Sequence, residues 1–357
     1  MQGSRLGGEA AIHAMREIFE HEDCEAILLV DAKNAFNCMN RKTMLHNIKI
    51  KCPTLAMYAD NTYKNSSDLY IDNSAKEGED KVSIIKSKEG TTQGDPIAMA
   101  MYAIGLSVLQ DEIAHEKTNV KQVAYADDLS GAGRITDLKA WWNKVNELGP
   151  TIGYTPNAAK SVLIVKPDLY DIAVQTFDGS EVVITKKGER HLGAVIGTQE
   201  FKKEYVEKKV AEWVQEVKTL SDIAITEPHA AFAAFTHGLQ HKWNFVMRTI
   251  PDISPFLRPL ENTIRDTFLP KLLKSLDPND IMRDLLALPP RLGGMGITSP
   301  VKRANEEYAN SINLTKSLTE KTVAQDAQGK EYNCLLVKRS CNDSLNSPRK
   351  SFCGPVG

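Results

Sequence analysis

The apolar positions of the chain change period several times, and each change marks an element. Over residues 6–20, Leu6, Ala10, Ile12, Met15 and Phe19 recur at near-helical spacing, which predicts a first helix. Ala26 to Val30 is instead an unbroken apolar run ending on Asp31, the pattern of a fully buried strand. Residues 41–51 read as a helix stopped by Pro53. Leu69-Tyr70-Ile71 and Val82 to Ile85 flank a polar, turn-rich stretch and predict two strands of a hairpin-like excursion. Residues 90–96 form a loop, and Ile97 to Glu112 a helix with a mostly apolar surface. A strand over 123–125 runs straight into Ala126-Asp127-Asp128, and residues 138–148, with Trp141 and Trp142, return to helix. Residues 161–165 and 182–185 are further short strands.

This alternation predicts an α+β arrangement, with helices packed on one face of a small, mostly antiparallel sheet. Beyond about residue 200 the period becomes purely helical: Phe201, Tyr205, Val206, Val210, Trp213, Val214, Val217 and Leu220 share one stripe. Two or three more helices are expected up to about residue 290. The chain thus divides into a mixed region over 1–200, a helical region over 201–315, and a polar tail over 316–357, for which loose order is the expectation.

Composition narrows the class. With 357 residues, 42% hydrophobic and 25% charged, the chain can bury a sizeable core, which excludes collagen-like, wholly disordered and disulfide-stapled architectures. Lys plus Arg total 44 against 46 for Asp plus Glu, a formal charge of −2. That balance weakens a nucleic-acid role without removing it, since a near-neutral total can hide a local basic groove. The cysteines at 24, 38, 52, 334, 341 and 353 form no Cys-x-x-Cys and read as reduced thiols. No secretory h-region precedes the first helix, and the longest apolar stretch, about 97–109, is too short to span a bilayer. A soluble intracellular chain is expected, with nucleus and cytoplasm left open.

The candidate chemistry lies where strands end in acids. Asp31 closes one apolar strand, and Asp127 with Asp128 follows another. A carboxylate there is costly unless its charge is compensated, and three together cannot all stay ionised unaided. Divalent cations resolve both problems. Mg²⁺ takes hard oxygen ligands and binds through one or two carboxylates plus substrate phosphates. Two such ions about 3.5–4 Å apart clamp the attacking and leaving oxygens of a phosphoryl displacement. Tyr58-Ala59-Asp60-Asn61 nearly copies Tyr125-Ala126-Asp127-Asp128, but it lacks a preceding β-branched run and reads as helix and loop. His237 and His241 have i, i+4 spacing without a metalloprotease Glu, and Gly293-Gly294-Met295-Gly296 reads as a turn. Lys202, Lys203, Lys208 and Lys209 alternate with Glu204 and Glu207, as on a solvated helix face.

Asp31-Ala32-Lys33-Asn34-Ala35-Phe36-Asn37, Gly90-Thr91-Thr92-Gln93-Gly94-Asp95-Pro96 and Tyr125-Ala126-Asp127-Asp128 resemble successive palm motifs of reverse transcriptases. Asn157-Ala158-Ala159-Lys160-Ser161 and His191-Leu192-Gly193 are similar to the two that follow, so five motifs stand in family order. Residues 288–297 resemble a downstream segment of eukaryotic retroelements, and the Tyr-Ala-Asp-Asp form is closer to non-LTR enzymes than to retroviral ones. The resemblance implies a right-hand polymerase palm followed by a helical thumb-like region, acting as an RNA-directed DNA polymerase. It implies two Mg²⁺ ions, replaceable by Mn²⁺, on Asp31, Asp127 and Asp128, with the Ala32 carbonyl as a further oxygen. Phe36 would exclude a ribose 2′-OH, Gln93 and Gly94 would meet nucleotide and template, and Lys160 would meet the leaving pyrophosphate. Leu192 and Gly193 would hold the primer strand. The implied partners are an RNA template, a DNA primer and deoxynucleoside triphosphates, with no membrane. From the residues alone, core packing for Phe36, a Gly-Asp-Pro turn for Gln93 and Gly94, a surface lysine for Lys160 and a strand turn for Leu192-Gly193 stay open.

One departure from the family qualifies the activity. Only thirty residues precede Asp31, with Arg5 and Arg16 as their cations, where the family carries a longer fingers region that grips the triphosphate. Residues 2–10 resemble the end of that region, so the expectation is a chain beginning in mid-domain. The alternative to a polymerase is therefore a catalytically inactive retroelement fragment or domesticated RNA-binding relic.

Overall fold

The computed structural model describes residues 6–72, 82–92, 94–115, 119–274 and 279–325. Helix α1 (Gly7–Glu20) leads into strand β1 (Ala26–Val30), the one-turn helix α2 (Ala35–Cys38), and the pair α3 (Arg41–Lys51) and α4 (Pro53–Tyr63). Asn40 caps α3 by accepting from the Thr43 N–H, and Pro53 opens α4 where a missing N–H costs nothing. The antiparallel hairpin β2 (Ser67–Asp72) and β3 (Val82–Ser87) precedes α5 (Ala98–His115). Then come β4 (Lys121–Tyr125), β5 (Asp128–Gly133), α6 (Ile135–Leu148), β6 (Val162–Val165), α7 (Tyr170–Thr176) and β7 (Val183–Thr185). A second hairpin, β8 (Gly188–His191) and β9 (Ala194–Gly197), ends the mixed region.

Five strands form one mixed sheet in the order β4-β5-β1-β6-β7, antiparallel except for the parallel β6–β7 edge. Its centre is the unbroken apolar run. A strand apolar at every position needs cover on both faces, and it receives it. Ala26, Leu28 and Val30 join Met44, Tyr102, Leu106, Leu138 and Trp141 in one core. Ile27 faces the other way and packs with Val123, Ala132, Ile164 and with Ala11, Met15 and Ile18 of α1. The expectation of helices on one face is therefore corrected: α1 covers the second.

Strand β5 carries no β-branched residue and gives no strand signal of its own. Gly131, one of its two glycines, lets it fit there. A Cβ on Gly131 would lie 2.9 Å from Val120 Cγ1 and 3.3 Å from Trp141 Cδ2, so the missing side chain makes room for the buried indole.

The helical region opens with α8 (Gln199–Thr226), whose Val206, Val210, Trp213 and Val217 are buried at helical spacing. Among the described residues four helical segments follow rather than two or three: α9 (Pro228–His237), α10 (Asn244–Thr249), α11 (Arg258–Thr263) running on through a π turn at Ile264–Phe268 into α12 (Leu269–Leu273), and α13 (Asp280–Ala287). Prolines lie in the first turn of α9 and α11, and Gly238 ends α9. Trp213, Phe235, Trp243 and Phe268 form the centre of this second core. Because α9 stops at His237, His237 and His241 share no helix face; His241 instead meets the Thr236 carbonyl and Asn244. Gly293, at φ 82, is the left-handed cap of a short turn over 290–292, in agreement with a turn reading.

The last helix, α14 (Pro300–Val323), runs past residue 316, where a loosely ordered tail was expected to begin. Its buried positions include Ala304, Ser311, Thr315 and Thr319, small residues that allow close approach but give little hydrophobic signal. The helix returns to α1, where Ser311 Oγ lies 2.8 Å from His13 Nε2 and 2.6 Å from Glu9 Oε2. The two regions are thereby joined through a buried polar contact. Residues 326–357 lie outside the described residues. Among those described, no helix is long and apolar enough to cross a membrane, and Cys24, Cys38 and Cys52 are free thiols.

Candidate active site

The register of the central strands determines what meets at their ends. Val30 pairs with Leu129 across the β1–β5 ladder, so the next step sets Asp31 opposite Asp128. Asp127 occupies the two-residue turn between β4 and β5, in which Tyr125 pairs with Asp128. Ala126 takes φ 55 in that turn, a left-handed conformation uncommon outside glycine, and this tightens the hairpin. Three carboxylates from two distant sequence positions are thus brought to one end of the sheet.

Asp31 is held by its backbone as well as its side chain. Its N–H donates to Ser161 Oγ at 3.2 Å, and its carbonyl accepts from the Asn157 N–H at 2.7 Å. Asn157 Nδ2 also donates to Asp31 Oδ2 at 3.4 Å. Ala32 bridges to Pro156, flanked by the bonds from Lys33 N–H to the Thr155 carbonyl and from Asn157 N–H to the Asp31 carbonyl. In such a non-hydrogen-bonded pair a residue's own carbonyl turns away from the bridge. The Ala32 carbonyl therefore faces the β5 side, where Asp127 and Asp128 lie. Asp127 in turn has its carbonyl held by the Tyr154 hydroxyl at 3.3 Å.

Crowding by protein atoms, then the charges of Asp127 and Asp31, pushes the Asp128 carboxyl from an ordinary 3.8 up to about 6. Asp128 still presents an exposed edge to water, so its charge is crowded and partly screened rather than buried outright. Burial, then the charges of Asp127, Cys38 and Asp128, drives the Tyr102 hydroxyl upward, so this phenol stays protonated. That buried hydroxyl has no hydrogen-bond partner among the described residues.

A cleft of about 550 Å³ opens beside the acids, lined by Asp31 to Asn37, Asp127, Asn157 and Lys160. Phe36 lies in it, its ring 4.4 Å from that of Tyr102 and tilted by 30°. A smaller concavity of about 190 Å³ adjoins it, lined by Asp31, Asp128, Lys160, His191 and Leu192 among others. Lys160 therefore touches both. The structure brings Asp31, Ala32, Phe36, Asp127, Asp128, Lys160 and Leu192 to one locus.

Leu192 and Gly193, at φ 50 and 85, make the tight turn of β8–β9, in which both central residues are left-handed. Gly193 does not line the concavity: a Cβ there would come 3.1 Å from Phe245, and its carbonyl accepts from the Tyr205 hydroxyl at 3.0 Å. The loop over 90–96 hangs on Phe36, since Thr91 N–H donates to the Phe36 carbonyl at 2.8 Å. Gly90 has φ 69, and a Cβ there would lie 2.3 Å from that same carbonyl oxygen, so only glycine fits. Gly94 takes φ 96 with no protein atom near its would-be Cβ. Gln93 lies outside the described residues.

Asn157, Ser161, Tyr154 and Tyr102 position the acids or the ring without being singled out by sequence as site residues. Asn157 and Ser161 bound the motif around Lys160, which was the available signal; no motif marks Tyr102 or Tyr154.

As donors, the carboxylates and the Ala32 carbonyl suit a hard cation. Among the described residues no three His, Cys, Asp or Glu converge on a single metal-binding centre. Mg²⁺ needs only one or two carboxylates, with water and phosphate completing the shell, so the donor set fits it. The fold and site together define a mixed α+β protein with an acidic cleft at its sheet end. No protein-family model and no curated protein sequence matches the chain.

Proposed function

We propose that this chain is an RNA-directed DNA polymerase of the reverse transcriptase type, joining deoxynucleotides to a primer 3′-hydroxyl. The observation that carries the reading is the β1–β5 register, which places Asp31 opposite Asp128 with Asp127 in the adjoining turn. Those are the three acids that the motif resemblance assigns to catalysis, and Asp31 is brought to the adjacent Asp127 and Asp128 from nearly a hundred residues away.

Mg²⁺ bound there would polarise the reacting phosphate and activate the primer hydroxyl. Asp31, Asp127 and the Ala32 carbonyl would hold it, and Asp128 would add charge and take up a proton more readily than an ordinary carboxylate. Phe36, fixed against Tyr102, narrows the cleft where a sugar would lie. Lys160 faces both concavities and offers a cation to a leaving pyrophosphate. Leu192 brings the β8–β9 turn to the same acids, as a primer-holding turn requires.

A second reading, an RNA-binding relic without turnover, is favoured by Arg16. This cation is engaged with the Val195 carbonyl at 3.4 Å and the Tyr308 hydroxyl at 3.5 Å. Primer extension on poly(rA)/oligo(dT) with Mg²⁺, beside Asp127→Ala, separates the two readings: incorporation above the variant supports the first, and none supports the second.

A further inference from the structure

The formal charge of −2 conceals a local excess of cations. Residues 41–64 carry five Lys or Arg and one acid, Asp60. Two of those cations have structural partners. Arg41 is buried and donates to the carbonyls of Ser87, Glu89 and Gly90, and Lys51 contacts Asp111 at 2.5 Å. The other three line a groove of about 660 Å³ between α3 and α4: Lys42 and Lys49 with His46 from α3, and Lys64 just past the end of α4. Lys49 Nζ lies 2.8 Å from Asp60, so that carboxylate offsets one charge. Lys42 and Lys64 have no acid partner among the described residues.

Spacing narrows the ligand. Lys42, His46 and Lys49 recur at i, i+4 and i+7, one helix face about 10 Å long at 1.5 Å per residue. A cationic face of that length meets more than one phosphate of a nucleic-acid strand. A single small anion would use only one end of it. In sequence the groove's lining begins at Asn40, three residues after Asn37 in the lining of the acidic cleft, and the two share no lining residue.

We infer that the groove between α3 and α4 binds the phosphate backbone of a single nucleic-acid strand. This site does not depend on turnover at the carboxylates, and an inactive relic would keep it.

The test is fluorescence anisotropy of a labelled 20-nucleotide oligo(U) across about 0.05–0.5 M KCl, with oligo(dT) in a parallel arm (a design range of about one decade, chosen for the salt slope). Each phosphate neutralised on a single strand contributes about 0.7 to the slope of log K against log salt. The double variant Lys42→Gln with Lys64→Gln should flatten the slope by about 1.4 and weaken binding about 25-fold at 0.1 M salt. Lys42→Arg with Lys64→Arg should retain both, and Lys42→Gln alone should lose about half the slope change, which guards against a misfolded double variant. Loss on RNA alone identifies an RNA strand, and loss on both identifies either backbone; each supports the site. Unchanged slope and affinity in the Gln variants would overturn it. So would a labelled poly-Glu peptide that binds more tightly than either oligonucleotide through the same lysines, since the partner would then be an acidic protein. Because binding is the readout, failure of primer extension leaves the outcome unaffected.

Discussion

Replacing Asp128 with Asn should make the protein more stable at neutral pH while impairing its proposed activity. The folded state holds this carboxyl at about 6 against an ordinary 3.8, through crowding first and then the charges of Asp127 and Asp31. A gap of about two units corresponds to roughly 3 kcal/mol for a group fully removed from water. Asp128 keeps an exposed edge, and solvent screening reduces the expected effect to roughly 1 kcal/mol. The sign follows from linkage. A raised carboxyl binds its proton more tightly in the folded state, so stability falls as pH rises from about 4 to about 6 and stays low above that. Asp128→Asn removes the charge and with it the penalty. Urea unfolding should show the variant roughly 1 kcal/mol more stable at pH 7.5, with the difference disappearing by about pH 4. A variant no more stable than the parent at pH 7.5, or a gain that ignores pH, would refute the idea of mutually repelling acids.

The same geometry makes two further predictions. Phe36→Ala removes the ring packed against Tyr102 in the cleft and should raise ribonucleotide over deoxynucleotide incorporation at least tenfold (roughly 1.4 kcal/mol of discrimination); unchanged sugar selection in competing dNTP and NTP extensions counts against the gate. Arg248→Met should cost about 3–5 kcal/mol at pH 7, because Arg248 holds buried Glu9 at 2.9 and 2.8 Å and its loss leaves an unpaired carboxylate. Burial raises the Glu9 carboxyl, but hydrogen bonds from Arg248 and Ser311 and the Arg248 charge outweigh it, leaving Glu9 below its usual value. The deficit should therefore shrink as pH falls below about 4.5, and a melting curve equally depressed at pH 4 and pH 7 would contradict the pairing.

Some of this architecture is legible in the sequence because burial writes a pattern. Ala26 to Val30 is apolar throughout since β1 is the middle of the sheet, covered on both faces, and Asp31 is conspicuous against it. The Leu192-Gly193 turn is legible because a tight hairpin needs left-handed residues. Strand β5 is hidden for the opposite reason: the volume above it belongs to Trp141, so the strand contributes glycine rather than a β-branched side chain. The end of α14 is hidden because close packing on α1 favours Ser and Thr, which look like surface. Cover of the sheet by α1 is implied by β1 itself, once a run without polar alternation is taken to need two apolar neighbours. The support of Asp31 by Asn157 and Ser161 depends on a long-range bridge between Ala32 and Pro156, which no local pattern announces.

The central claim is that Asp31, Asp127 and Asp128 act together on a nucleotide. Its most direct test is the rate of dTTP incorporation on poly(rA)/oligo(dT) with Mg²⁺, comparing the parent with Asp31→Asn, Asp127→Asn and, as a control acid on an exposed turn, Asp178→Asn. Loss of at least about a thousandfold in the two site variants, with Asp178→Asn at the parental rate, is the expected result (about 4 kcal/mol of transition-state stabilisation). Incorporation that survives either site substitution, or a parent protein that incorporates nothing, would contradict it.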